Sequence, residues 1–327
     1  MTTILIIGGG GMVGQKLASH LATQGLGDAP NVQVTMYDIA FPPEGAPAAA
    51  HMTGNLADPG QGARLAALRP DVIFHLAAIV SGEAETDFDK GWATNMMACW
   101  HLLEGLRAQH DASGGSYVPR VVFSSSIAVF GAPYPDRIDD HFLSTPQTSY
   151  GAQKAMTELM VSDFSRKGFI DGISIRLPTL CVRPGKANLA ASSFFSGIIR
   201  EPLNGLPAIL PVPDTVRHWH ASPRSAVGFL THAATLDTEG LQGRRALSMP
   251  GVSCTVAEQI EALRDVAGAQ AVALIQRRDD PAIMAIVAGW PRDFAPERAL
   301  ALGFVAEAGF RTIIDIYIAE DLAGGAR

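Results

Sequence analysis

Thr2 to Ile7 form an apolar run that leads straight into Gly8-Gly9-Gly10-Gly11-Met12-Val13-Gly14, after which Val13, Leu17 and Leu21 recur at helical spacing. Few folds accommodate a buried strand, a glycine turn and a helix packed this closely. Glycine permits the tight turn and lets the helix lie against the strand. It also allows a pyrophosphate to approach the backbone at the positive end of the helix. Because two patterned elements frame the glycines, a merely flexible loop is the poorer reading. The expectation is a doubly wound α/β fold that opens with a dinucleotide-binding βαβ unit.

The chain downstream continues that pattern. Val32 to Tyr37 reads as a second strand ending at Asp38. A carboxylate roughly 20 residues beyond the glycines suits the adenosine ribose hydroxyls and repels a 2′-phosphate, so NAD is expected over NADP. Helix capping is the plainer alternative for Asp38. Val72 to Ala78 reads as a buried strand running into small residues, with His75 a satisfied packing residue. Trp92 to about Gln109 reads as an amphipathic helix that buries Met96, Trp100 and Leu103 against either the sheet or a second subunit, followed by a loop from His110 to Tyr117. Arg120 to Ser124 and Ile173 to Leu177 are further strands, and Pro133 to Gln147 is a loop.

A helix from Ser149 to about Lys167 would carry Tyr150 and Lys154 on one face. A lysine ammonium beside a phenol favours the phenolate, lowering its pKa from about 10 toward working pH. That makes Tyr150 a candidate general base for an alcohol. A surface pair spaced by one turn is the plainer reading, and the glycine-rich N-terminus weighs against it.

With 327 residues there is room for a Rossmann domain over residues 1–178 and a smaller, mainly substrate-binding domain over residues 179–327. Some segments of the second are expected to pack back on the first. A hydrophobic content of 47% with 17% charged residues excludes a disordered chain. The net charge of −7 and the lack of a dense basic block argue against nucleic acid as a partner. Cys99, Cys181 and Cys254 are widely separated and in no metal-ligand spacing, so buried free thiols and no metal are expected. No apolar stretch reaches the ~18 residues of a membrane span, and a strand starting this early leaves no room for a signal peptide. A cytoplasmic protein is expected.

Strand, serines (Ser124-Ser125-Ser126), loop, then Tyr150-x-x-x-Lys154 resembles the short-chain dehydrogenase/reductase superfamily. The spacing of Gly8, Gly11 and Gly14 is similar to that of its extended branch, which holds nucleotide-sugar epimerases and dehydratases. The resemblance implies that Ser126, Tyr150 and Lys154 are catalytic, with Ser126 bonding the reacting oxygen. It further implies that NAD is held by Gly8, Gly11, Met12, Val13, Gly14, Asp38, Asn55, Leu56, Leu76, Ala77, Ala78, Asn95, Ser124, Tyr150, Lys154 and Pro178. Ser124 and Ser125 would make backbone and cofactor contacts. A helix-bundle homodimer is the family expectation.

Departures narrow the branch. Ile127 and Ala128 stand where dehydratases carry acidic residues. Thr179 stands where nucleotide-sugar epimerases usually have asparagine, and Arg217-His218-Trp219 where they hold the nucleotide. Leu180 to Lys186 and Ala191 to Gly197 resemble segments of dehydrogenases that oxidise a four-carbon sugar acid. The implied function is NAD-dependent oxidation of a hydroxyl of a small, D-erythronate-like sugar acid to the keto acid. Ser81, Ser126, Tyr150, Thr179, Arg183, Asn188 and Arg217 are the expected substrate contacts. Arg217 is the first choice for the carboxylate over Arg183 and Arg224, since guanidinium binds carboxylate bidentately. A nucleotide-sugar 4-epimerase with tightly bound NAD is the alternative. A non-catalytic NAD-binding regulator fits less well, because it would normally lose Tyr150 or Lys154.

Overall fold

The structure is a computed structural model describing residues 1–43, 45–46, 49–185, 190–241 and 243–322. It divides into two compact units. The first comprises Met1–Val129, Thr148–Arg176 and Val227–Ser248; the second comprises Phe130–Gln147, Leu177–Ala226 and Met249–Arg327. The chain therefore changes unit several times, before residue 178 as well as after it. Residues 130–147 go with the second unit because Ile138–Asp139 pairs with Phe294–Ala295 and the Tyr134 hydroxyl donates to the Gly289 carbonyl. Residues 227–248 go with the first because Ala246–Ser248 adds a strand to its sheet.

That sheet has seven strands: β1 (Thr2–Ile7), β2 (Val32–Asp38), β3 (Ala50–Thr53), β4 (Val72–His75), β5 (Arg120–Ser126), β6 (Asp171–Leu177) and β7 (Ala246–Ser248). Their spatial order is β7-β6-β5-β4-β1-β2-β3. Pairs β1–β2, β1–β4, β2–β3, β4–β5 and β6–β7 are parallel. This is the doubly wound Rossmann order, whose direction reverses between β1 and β4, and ligands of such sheets bind beyond the strand ends at that reversal. The central strands carry apolar runs whose side chains point to both faces, as both faces of a parallel sheet are covered. Ile4 to Ile7, Ile73, Phe74 and Val121 to Phe123 are all buried.

The helices that matter for the site are α1 (Met12–Gln24), α2 (Gln61–Ala66), α3 (Ala98–Ala112) and α4 (Ser149–Arg166). Leu65 and Ala66 of α2, Leu102, Leu103 and Leu106 of α3, and Val161 and Phe164 of α4 share one core cluster with Ile73 and Phe123.

Three expectations change in detail. Strand β4 ends at His75, not Ala78, because the amides of Leu76 and Ala77 both turn to the Ile7 carbonyl, at 2.8 and 3.0 Å. The helix carrying Asn95 starts earlier, at Phe88, passes through a π turn at Ala93–Met97 and runs on into α3, shortening the loop expected from His110. Along it Leu103 is buried, whereas Trp100 stays 37% exposed.

The second unit has its own core. Helices Ser193–Leu203, Val256–Val272 and Phe310–Tyr317 gather Phe195, Ile198, Leu263 and Ile313 into one cluster. A three-stranded sheet places Arg217–Ala221 between Thr179–Leu180 (parallel) and Val252–Thr255 (antiparallel).

Candidate active site

Helix α4 is started by Thr148, whose hydroxyl accepts from the Gly151 amide at 3.1 Å and satisfies one of the free donors of the first turn. Tyr150 therefore lies in that first turn, with Lys154 one turn on. Lys154 is only 2% exposed. Its ammonium donates to the Ser124 carbonyl at 2.7 Å, lies 4.6 Å from the centre of the Phe123 ring and 5.6 Å from that of Tyr150. Burial pulls its pKa down to about 8, with Cys99 and Glu158 opposing the fall.

The strand end supplies three hydroxyls with three different tasks. Ser124 donates to the His75 carbonyl at 3.1 Å, linking β5 to β4. Ser125 donates to Glu158 Oε1 at 2.5 Å, so its hydroxyl holds a side chain of α4. Ser126 accepts from the Ala128 amide at 3.1 Å and hydrogen-bonds the Tyr150 phenol. Ser126, Tyr150 and Lys154 thus converge.

The electrostatics of that trio differ from expectation. Burial lifts the Tyr150 pKa to about 12, and the hydrogen bond from Ser126 only partly opposes it. Desolvation disfavours the phenolate more than the Ser126 hydrogen bond favours it, so the chain alone does not deliver a lowered phenol. His75 also departs from expectation: it is buried against Phe123, yet its ring nitrogens find no partner in another residue. Burial, with Lys154 adding to it, pushes its pKa down to about 3.

Around the N-terminus of α1 the residues fit a dinucleotide. Gly8 has φ +91°, and a Cβ there would lie 2.5 Å from the Ala77 amide nitrogen. The fold itself therefore needs glycine at that position. Gly11 differs: it has ordinary φ, and the nearest atom to an added Cβ is 3.5 Å away. Among the described residues nothing crowds Gly11, which suits a close approach by a ligand. As N-cap of α1 it offers no side chain to the helix amides, and the first turn, Met12 to Gly14 included, holds no acidic residue, leaving positive backbone charge for an anion. Asp38 ends β2 beside this turn, its Oδ2 accepting from the Gly10 amide at 2.8 Å.

Other expected cofactor residues carry structural bonds. The Asn55 carbonyl oxygen accepts from the Ala57 amide and its NH2 donates to Asp58, both at 3.1 Å, while Leu56 is buried. Leu76, Ala77 and Ala78 form the segment after β4. Asn95, in the π turn, accepts from the Ile79 amide and donates to Gln153 Oε1, each at 2.8 Å, fixing that segment to α4. Ser81 begins the short helix Ser81–Thr86.

In the second unit Pro178 is buried and Thr179 partly so. His218 Nδ1 lies 2.8 Å from the Pro291 carbonyl and must donate to it, so its Nε2 is an acceptor and receives a hydrogen bond from the Thr179 hydroxyl at 2.7 Å. Burial keeps His218 neutral, its pKa down at about 4. Arg217 donates to the Ser253 carbonyl at 3.2 Å and pairs with Glu258 at 3.3 Å, and Arg224 pairs with Glu320. Arg183 is partly buried and has no carboxylate partner among the described residues; its guanidinium reaches Ser192 Oγ at 3.3 Å, and burial lowers its pKa. Asn188 and Lys186 lie outside the described residues.

Glu158, Arg176 and Gln153 were not singled out from sequence. Glu158 stands four residues beyond Lys154 and eight beyond Tyr150, a helical spacing that could have revealed it.

The family profile described as NAD dependent epimerase/dehydratase family matches residues 4–220. A D-erythronate dehydrogenase of Cupriavidus necator is 43% identical, the match covering 97% of this chain and 98% of the relative. One of Haemophilus influenzae is 41% identical, over 98% of this chain and 99% of the relative. A crystal structure described as a nucleoside-diphosphate-sugar epimerase from Agrobacterium tumefaciens superposes with a TM-score of 0.95 at 54% identity, covering all (100%) of this chain and 96% of that one.

Proposed function

Because the chain belongs to the NAD-dependent epimerase/dehydratase family, we propose that it is a sugar-acid dehydrogenase, oxidising one hydroxyl of a D-erythronate-like substrate to the keto acid. NAD is its cofactor. The observation that carries the reading is the convergence of Ser126 and Tyr150, both partly buried, with the buried Lys154, in a chain alike nearly end to end to two dehydrogenases of that acid.

When bound, NAD supplies the hydride acceptor. The chain's own residues handle the proton and the orientation. Ser126 holds the reacting oxygen next to the phenol. Tyr150 takes the hydroxyl proton at its phenolic oxygen. Lys154 holds positive charge near that oxygen, and its ammonium has spare donors beyond the one given to Ser124. With Tyr150 near 12 in the chain alone, the base forms only where further positive charge enters with the oxidised cofactor.

For the substrate carboxylate the pairing pattern favours Arg183 over Arg217. Arg217 and Arg224 already face Glu258 and Glu320, whereas Arg183 is partly buried and has no carboxylate opposite it among the described residues. A partly desolvated cation without an opposite charge is costly, and an anionic ligand offsets the cost. Thr179 and Asn188 stay with Arg183 as proposed substrate contacts in a mainly substrate-binding second half, and Ser81 as one from the first.

A homodimer is also proposed. Met97 and Trp100 lead into and lie on α3, and Met156 and Leu159 lie on α4; all four are exposed, which two copies of these adjacent helices would cover. The buried free cysteines fit the reducing cytoplasm, and no described helix is long and apolar enough to cross a membrane.

The second reading, a nucleotide-sugar 4-epimerase, is favoured by the likeness to the Agrobacterium tumefaciens structure. Mixing protein and NAD with a panel of four-carbon sugar acids and UDP-sugars separates the two. Net NADH formed with a sugar acid supports the dehydrogenase; UDP-sugar isomerisation without response to sugar acids rejects it.

A further inference from the structure

Three elements meet on one carboxylate. Glu158, 5% exposed, accepts from Ser125 Oγ of β5 at 2.5 Å. It also accepts from Arg176 of β6, Nε to Oε1 at 2.9 Å and Nη2 to Oε2 at 2.7 Å. Ser125 is the residue before Ser126, and Glu158 is the next position after Tyr150 and Lys154 on the same face of α4. Separation between strand end and helix face is what fixes the distance from Ser126 to Tyr150. The bonds that hold it are charge-assisted and buried, hence short and directional.

We propose that Glu158 is a positioning residue of the reaction: by clamping Ser125 and Arg176 it sets the distance of Ser126 from Tyr150, and by its charge it keeps Lys154 an ammonium. The proposal rests on the dehydrogenase reading for its kinetic arm alone.

The charge has few rivals at that place. Facing Lys154 are the Ser124 carbonyl and Phe123 ring of β5, His75 of β4, Cys99 of α3, and Tyr150 and Glu158 of α4. His75 is held neutral, and burial lifts the Cys99 thiol to about 12, so it too is neutral at working pH. Glu158 is then the anion of the set, against a burial that has already brought Lys154 to about 8.

The test uses Glu158→Gln, which keeps the shape and removes the charge, and the double variant Glu158→Gln/Arg176→Gln, which also removes the stranded guanidinium. Two readouts are taken. One is kcat, KM and NAD affinity. The other needs no substrate: NMR of ¹³Cε-labelled lysine, whose five signals include Lys154, assigned with Lys154→Arg. The expected result is a kcat lower by about 10–100-fold, the scale of a misplaced catalytic group, with KM and NAD affinity within about threefold. The Lys154 midpoint should fall by about one pH unit. The double variant should regain thermal stability but neither kcat nor the midpoint. If it regains all three, Glu158 is merely the partner of Arg176 and the proposal is wrong. Ser125→Ala, which leaves the ion pair whole, carries the positioning arm if either variant fails to fold; an unchanged kcat there overturns it. Should wild type oxidise no sugar acid at all, the substrate reading fails while the lysine titration still decides the charge.

Discussion

Lys154 Nζ stands 2.7 Å from the carbonyl oxygen of Ser124, two residues before Ser126. The bond ties the helix that bears the base to the strand that bears the orienting hydroxyl. It is made by an ammonium whose pKa burial has already brought to about 8. Chemistry at this site depends on two groups whose ionisations must fall in the right order: Tyr150 deprotonated, Lys154 protonated. In the chain alone the order is reversed, at about 12 and about 8.

Tyr150→Phe should lower kcat by about 10²–10⁴-fold, the usual contribution of general-base catalysis, while NAD binds with near-normal affinity. Ser126→Ala should cost less, since it orients the oxygen and does not take the proton. Steady-state kinetics with a sugar acid and a separate NAD titration check both. Near-normal turnover in Tyr150→Phe would place the base elsewhere.

Addition of NAD should bring the Tyr150 ionisation down from about 12, because positive charge beside a phenol favours the phenolate. Ultraviolet difference titration of wild type against Tyr150→Phe, with and without NAD, measures it. The kcat profile should rise with pH through this ionisation and fall at alkaline pH as Lys154 loses its proton. A Tyr150 that already titrates near neutrality without NAD would contradict the burial argument.

Asp38→Asn should bring NAD and NADP efficiencies closer by at least about tenfold, since loss of the charge removes the repulsion of a 2′-phosphate. The Gly10 amide now bonds to Asp38 Oδ2 at 2.8 Å. Asparagine keeps an acceptor there, so the turn is preserved, whereas Asp38→Ala should weaken NAD use through both effects. Comparable use of both cofactors by the unmodified protein would refute the assignment.

What the sequence made legible follows from the range of the forces involved. The glycine turn and the Tyr150–Lys154 pair are local, and their periodicities are written in neighbouring residues. The doubly wound α/β class follows from the alternation of strands and helices. The Glu158 clamp is different: it joins residues 33 and 18 positions away, which no local pattern specifies. The Tyr150 pKa was misjudged for a related reason. A neighbouring charge can be read from spacing, but desolvation depends on everything that closes over the ring. The π turn at Ala93–Met97, which gives Asn95 its reach to Ile79 and Gln153, likewise follows from tertiary contacts, and helical propensity alone would have continued a regular helix.

His75→Leu should make the protein less sensitive to acid. Folded His75 has its pKa depressed to about 3, against an ordinary 6.5. Between those values the unfolded chain binds a proton that the folded chain refuses. The stability is thus fully present above about 6.5 and lost as pH falls toward 3. His218 and His220 are buried neutral too and add to the same loss, so the variant should remove part of it. Thermal melts at pH 8 and pH 5 check this: the drop between them should be smaller in His75→Leu, and an equal drop would refute it.

Arg183→Ala should raise KM for a sugar acid strongly, by about 10–100-fold, as expected on losing a charge-assisted hydrogen-bond pair. Arg183→Lys should recover only part, because an ammonium lacks the planar fork. Arg217→Ala should change KM far less, since its guanidinium is engaged by the Ser253 carbonyl and by Glu258, and its loss should act mainly on stability. The comparison needs a neutral control: the amide of the same acid should be used equally poorly by wild type and Arg183→Ala. If Arg217→Ala raises KM and Arg183→Ala does not, the carboxylate lies at the strand residue after all, and the Glu258 pair must open to receive it. If neither moves KM while UDP-sugars are isomerised, the epimerase reading takes over, and the Arg183 guanidinium, with no carboxylate opposite it among the described residues, then calls for an anion other than a carboxylate, such as a diphosphate.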